Sequence, residues 1–211
     1  MVNIPSYVFT VVKRLESSGF QAYLAGGCVR DSIMNIAPND YDITTNAHPE
    51  EIKNVFRDFK LILTGEKHGT VAVITNGGII EITSYRLEKG YTDGRHPNNV
   101  EFTSSLIEDL RRRDFTVNAM AYGIHDGLID PFNGRDDIKN KIIRTVGAPE
   151  KRFEEDALRI LRGLRFSSRL GFSIESGTAE AVHNLRLLLK NISAERIRDE
   201  FVQIIRGQNA G

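Results

Sequence analysis

The N-terminal residues Ile4, Val8, Val11, Val12 and Leu15 recur at the three- and four-residue spacing of one helix face, with Lys13, Arg14 and Glu16 between them. This periodicity, interrupted by charge, predicts an amphipathic helix and does not fit a signal peptide. Further along, the apolar period shortens. Residues 21–25 read as a strand, a helix follows from Gly27 to about Asn35, and 41–44 is a second short strand. Residues 48–58 are helical in pattern, with Asn46 placed to cap them. Strands are predicted at 61–64, 70–74 and 79–85, the last two joined by the turn signal Asn76-Gly77-Gly78. The polar stretch 86–99, with Gly90, Gly94 and Pro97, predicts a long mobile loop.

Beyond that loop the pattern is mainly helical, at 104–112, 116–122, 154–170, 178–189 and 194–206, with short strands at 127–131 and 143–146. Strand-like runs stop near Val146, which sets a domain boundary at about residue 147. No internal repeat or low-complexity tract is visible.

Chemistry enters first at Asp40-Tyr41-Asp42. Residues two apart on a strand share a face, so two carboxylates project side by side. They repel, and a divalent cation with a preference for carboxylate oxygen relieves the repulsion. An exposed strand end carries the same pattern for no chemical reason. Upstream, Leu24-Ala25-Gly26-Gly27-Cys28-Val29-Arg30-Asp31 runs from a strand through paired glycines into a helix start. Glycine lets backbone approach a phosphate, helix-terminal N–H groups favour anions, and Arg30 can add a bidentate contact. A phosphate cradle shortly before an acidic pair is more specific than either feature alone. Glu81, a lone acid in Ile79-Ile80-Glu81-Ile82, either completes a carboxylate cluster or faces water by simple alternation.

Two basic stretches follow. Arg111-Arg112-Arg113-Asp114 abuts Phe115, Val117 and Met120, so at least one arginine is expected to turn inward and find a carboxylate or phosphate. In the 154–170 helix, Ala157, Ile160, Leu161 and Leu164 share one face, and Glu155, Arg159, Arg162 and Arg169 the opposite one, with Asp156 on the edge. Ordinary ion pairing on a surface helix accounts for that pattern. Presentation of Asp156 and Arg159 to a base edge, with Arg162 and Arg165 facing phosphates, accounts for it as well.

Composition narrows the partners. Lys plus Arg and Asp plus Glu balance at 28 each, which disfavours a protein that coats nucleic acid but allows a local grip on one RNA end. No apolar run approaches the length of a membrane helix. The single cysteine, Cys28, cannot form an internal disulfide, and this fits a cytoplasmic setting.

The segments LAGGCVRD, NDYDI, IEITSYR, YTDGRHPNNVEF, RRRDFTVNAMAY, DPFNGRDDIKNKIIRTVG and RFEEDALRILRGLRF occur in the order found in class II tRNA nucleotidyltransferases, the family of CCA-adding enzymes and related bacterial poly(A) polymerases. The likeness runs from about residue 20 to 206 and is strongest to the bacterial CCA-adding branch. It implies an α+β fold: a nucleotidyltransferase (polymerase-beta-like) head over 1–146, with a small mixed β-sheet flanked by helices, then an all-helical neck over 147–211. The family's body and tail are expected to be absent from this chain. By resemblance, Asp40 and Asp42 hold two Mg²⁺ ions, and Gly27 and Arg30 contact the triphosphate. Arg113 and Asp114 bind the nucleotide, with Asp114 near the ribose. Asp156 and Arg159 read the base of CTP or ATP, Arg162 and Arg165 add nucleotide contacts, and 86–99 matches a loop needed for the switch to adding A. The implied activity is CMP and AMP addition to the 3′ end of tRNA. Poly(A) synthesis, CC-only or A-only addition, and a non-catalytic nucleotide- or RNA-binding fragment stand as alternatives.

Overall fold

The computed structural model describes residues 4–91, 97–207 and 209. Contacts divide the chain into two units: Met1–Leu87, Val100–Arg112 and Asn118–Pro131 form the first, and Glu88–Asn99, Arg113–Val117 and Phe132–Gly211 the second.

The first unit is a mixed sheet with helices. In chain order it contains α1 (Ser6–Ser17), β1 (Ala22–Ala25), α2 (Gly27–Ile33), β2 (Tyr41–Thr45), α3 (Pro49–Val55), β3 (Lys60–Ile62), β4 (Thr70–Thr75) and β5 (Gly78–Ser84). Next along the chain are β6 (Arg86–Tyr91) and β7 (Pro97–Phe102), of which Glu88–Asn99 is assigned to the second unit, and then, in the first unit, α4 (Leu106–Arg111), β8 (Ala121–Gly123) and β9 (Gly127–Ile129). The sheet order is β3-β4-β5-β2-β1-β8-β9, with β2 parallel to β5 and the other neighbours antiparallel. The register puts Leu24, Ile43, Val71, Val73, Ile80 and Ile82 on one buried face. Val8, Val11, Val12 and Leu15 of α1 and Ile52 of α3 are buried with them, as the helical spacing requires. His48, not Asn46, occupies the cap of α3; Asn46 instead accepts a hydrogen bond from the Gln21 N–H at 2.7 Å.

β6 and β7 pair as a ribbon of their own, so the ends of the stretch expected to be a loop are strands; its centre, residues 92–96, lies outside the described residues. Backbone hydrogen bonding satisfies polar strands as well as apolar ones, and polarity alone therefore misleads here. The helix expected at 116–122 is a single 3₁₀ turn, Thr116–Asn118, followed by strand β8. Phe115, Val117, Ala119, Met120 and Ala121 are all fully buried, and such a run has no amphipathic period to separate helix from strand.

The second unit contains α5 (Gly134–Asn140), β10 (Ile142–Ile143), α6 (Pro149–Glu155), α7 (Leu158–Leu170), β11 (Ser173–Ile174), α8 (Ser176–Leu185) and α9 (Ala194–Ile205). β10 and β11 pair in parallel. Phe153, Ile160 and Ala181 form one apolar cluster, and Ala157, Leu158, Leu161 and Ile192 a second. The single helix expected at 154–170 is two helices. Asp156 adopts an extended conformation (φ −147°, ψ 104°), and its carboxylate accepts the Leu158 N–H at 3.0 Å, capping α7 locally. Within α7 burial departs from the predicted faces at two positions: Arg159 is buried, whereas Leu164 is exposed. Asn133 enters α5 with φ 60°, a left-handed step for which the sequence pattern carried no signal.

Candidate active site

In the first unit the acidic residues lie on the sheet face opposite the core. Asp40 precedes β2 and Asp42 lies within it, both exposed, while Tyr41 and Ile43 between and after them are buried. Glu81 on β5 is the in-register partner of Asp42 and is also exposed. In-register residues on neighbouring strands share a face, so Glu81 stands beside Asp42. Simple alternation, one of the two readings open in the sequence, describes this position; among the described residues Glu81 does not complete a cluster of three acidic side chains able to hold a metal.

Among the described residues, no three His, Cys, Asp or Glu side chains converge into a ready-made metal cage. Exposed carboxylates on one sheet face nevertheless offer the oxygen donors that a hard divalent cation takes.

The glycine turn lies just upstream. Gly26 has φ 76° and ψ −130°, a conformation that only glycine adopts without strain, and α2 begins at Gly27. Arg30 is buried. Its Nη1 donates to Asn118 Oδ1 at 2.6 Å and its Nε to Asp31 Oδ1 at 2.8 Å. A Cβ on Gly27 would lie 3.6 Å from the Arg30 guanidinium, so that charge stands directly beside the turn. Asn118 carried no sequence signal of its own, sitting inside an apolar run. Asp109 was equally hidden. Fully buried in α4, it accepts from Thr44 Oγ1 at 3.0 Å, Arg86 N at 3.3 Å and Arg112 Nη2 at 2.7 Å. It thereby ties β2, the strand of Asp42, to α4 and the start of β6.

The second unit brings the other candidates into ion pairs. Asp114 is buried and its Oδ2 accepts from Arg162 Nε at 2.8 Å and Nη2 at 2.5 Å. Burial pushes the Asp114 carboxyl upward, but the charge and hydrogen bonds of Arg162 outweigh it and hold the group at about 2. Asp114 raises the Arg162 guanidinium in return. Arg159 pairs with Glu155 at 2.7 Å and donates to the Arg152 carbonyl at 3.1 Å. Asp156 pairs with Arg196 of α9 at 3.0 Å. Arg165 lies 2.7 Å from Glu200 and over the Phe166 ring, and burial lowers its pKa. Arg113, from the same RRRD run as Asp114, is half-buried with its Nε shielded from solvent.

Residues 22–144 match the poly A polymerase head domain family, and residues 171–211 match a model described as the probable RNA and SrmB-binding site of polymerase A. The CCA-adding enzyme of Lactobacillus helveticus is 52% identical over 194 residues, 92% of this chain and 48% of that protein. The CCA-adding enzyme of Enterococcus faecalis is 47% identical over 199 residues, again 48% of its length. A crystal structure of the Bacillus stearothermophilus CCA-adding enzyme in complex with CTP superposes with a TM-score of 0.88 at 42% identity, covering 97% of this chain and 49% of that one. A tRNA nucleotidyltransferase complexed with a primer tRNA and an incoming ATP analog gives 0.78 at 30% identity, covering 95% of this chain and 57% of that one. The chain thus spans about half the length of the curated relatives it matches. Among the described residues, no helix is long and apolar enough to cross a membrane. With more than half its length matched by the head-domain model, this chain belongs to the poly A polymerase head domain family.

Proposed function

We propose that this chain is the nucleotide-binding and catalytic portion of a cytoplasmic enzyme that transfers CMP and AMP from CTP and ATP to the 3′ end of tRNA, with release of pyrophosphate. Residues 1–146 would act as the head and 147–211 as the helical neck. The observation that carries the reading is Asp42, exposed between buried neighbours on β2, two residues from Asp40 and in register with Glu81. The names of the relatives, about half of whose length this chain spans, support the substrate.

Asp40 and Asp42 would hold Mg²⁺, which when bound lends Lewis-acid activation to the RNA 3′-hydroxyl and neutralises charge on the triphosphate. The chain's own residues supply positioning. The Gly26-Gly27 turn admits phosphate close to the backbone, and the Arg30 guanidinium beside it adds positive charge. Arg113, Arg162 and Arg165 would contribute further nucleotide contacts, and Asp114 would meet the ribose. C and A both offer an exocyclic amine donor beside a ring-nitrogen acceptor. Asp156 can accept from the amine and Arg159 donate to the ring nitrogen, which selects C and A against G and U. Holding the two reactants in line accounts for most of the rate gain expected here.

The test supplies a tRNA lacking its 3′ end with CTP alone, ATP alone, then both, in Mg²⁺, and reads product length. Three added residues with both nucleotides, and none for Asp42→Ala with its fold intact, is the expected result. Long A-tracts with ATP alone would turn the assignment to poly(A) synthesis. Substantial transfer by Asp42→Ala would refute the metal role.

A further inference from the structure

Asp137, from the segment 134–140 that the sequence pattern left unassigned, is buried at 6% exposure and receives two donors. Thr116 Oγ1 donates to its Oδ2 at 2.7 Å, and Arg144 Nε donates to Oδ1 at 3.3 Å and Oδ2 at 3.2 Å. Thr116 is itself buried and held from its other side, its N–H donating to the Arg144 carbonyl at 2.9 Å. Two residues upstream, the Asp114 carbonyl accepts the Val146 N–H at 3.0 Å, and Phe115 bridges Thr145 antiparallel. The strip 114–116 is therefore sewn to 144–146 by backbone bonds and pinned by one side-chain bond to α5. Packing adds a further constraint. The Phe115 ring lies 3.1 Å from where a Cβ on Gly163 would be, and meets Phe166 edge-on at 5.8 Å between centroids. Phe115 thus seats the strip directly against α7, the helix that carries Arg162.

We propose that Asp137, acting through the Thr116 hydroxyl, is a positioning residue for Asp114: it sets where the Asp114 carboxylate stands beside Arg162 and so how that carboxylate meets the nucleotide ribose. A buried carboxylate must be compensated by partners. Arg144, at 44% side-chain exposure, is a half-solvated partner. The short bond to Thr116 is the part of the arrangement that reaches the strip bearing Asp114. The inference rests on the reading of Asp114 as a nucleotide contact.

The experiment measures binding of CTP and of dCTP to the full chain in Mg²⁺, for wild type, Asp114→Ala, Thr116→Val and Thr116→Ser, each checked by thermal melting. Thr116→Val removes the hydroxyl at nearly constant shape and leaves Asp137 paired with Arg144. It is expected to weaken CTP about tenfold and dCTP much less, eroding the ribose preference, with Thr116→Ser restoring it. Equal weakening of CTP and dCTP by Thr116→Val would mean a purely structural bond and overturn the proposal. So would an unchanged preference in Thr116→Val alongside a lost one in Asp114→Ala, with the reading of Asp114 left standing. If Asp114→Ala keeps both affinity and preference, the reading of Asp114 fails and takes the proposal with it. Should Thr116→Val not fold, Asp137→Asn, which keeps an oxygen but gives up the charge, carries the same test in the same direction.

Discussion

Removing the Arg162 guanidinium while keeping its bulk, as in Arg162→Met, isolates what holds a buried carboxylate charged. In the wild type, burial favours the neutral acid, and Arg162 reverses that preference, taking Asp114 from the ordinary 3.8 to about 2. A folded-state pKa below the unfolded one contributes stability that is fully present above the unfolded value and is lost as pH falls through the folded one. For Asp114 the window runs from about pH 4 down to pH 2, and the contribution at pH 7 is on the order of 2 kcal/mol. In the variant the sign reverses. Burial still favours the neutral acid while the Arg162 charge and hydrogen bonds are gone, so the Asp114 pKa rises, and stability is regained as pH falls through the raised value. Breaking one half of a fully buried pair costs about 3–5 kcal/mol at neutral pH, and the cost here is smaller because the Arg162 side chain is 35% exposed. Amide exchange at Phe115 and Val146, whose N–H groups bond to Asp114, reads local opening in this unit directly. The protection gap between wild type and variant is expected to be widest near pH 7 and to narrow steadily toward pH 3. A gap independent of pH would show that Arg162 serves only as packing and that the electrostatic account of Asp114 is wrong.

Arg159→Ala should relax the choice of base more than it weakens CTP or ATP binding, and unchanged selectivity against UTP and GTP would remove Arg159 from base reading. Gly26→Ala forces a side chain into a positive-φ turn and should cost about 1–3 kcal/mol in urea unfolding together with nucleotide affinity; no loss in either would mean that the turn relaxes freely. Asp42→Asn should abolish nucleotide transfer while leaving the melting temperature within a few degrees of wild type, because the side chain is exposed; a large drop in melting temperature would recast Asp42 as structural.

Much of this protein was decided by its sequence. Strand alternation around Asp42, the helical period of α1 and the glycines before α2 act over a few residues, where local sterics and burial leave little choice. The identity of the acidic pair, and its position after a glycine turn, were legible for that reason. What the chain could not reveal locally was decided by partners distant in sequence. Glu81 stands beside Asp42 only because β2 and β5 pair in parallel, a register that no local pattern encodes. The run 115–121 is buried all round, Thr116 and Asn118 included, so its apparent helical period carried no information, and only pairing with β1 made its end, β8, extended. Asp156 breaks an otherwise continuous helical pattern with neither glycine nor proline to announce it, its carboxylate caught between the Leu158 amide and Arg196. Arg30 and Asp114 were legible as candidate nucleotide contacts but not as buried groups, and Asp109 and Asp137 carried no signal at all. Burial made each of them depend on partners that only the fold brings within reach, because a charge taken out of water must find its compensation wherever the tertiary structure supplies it.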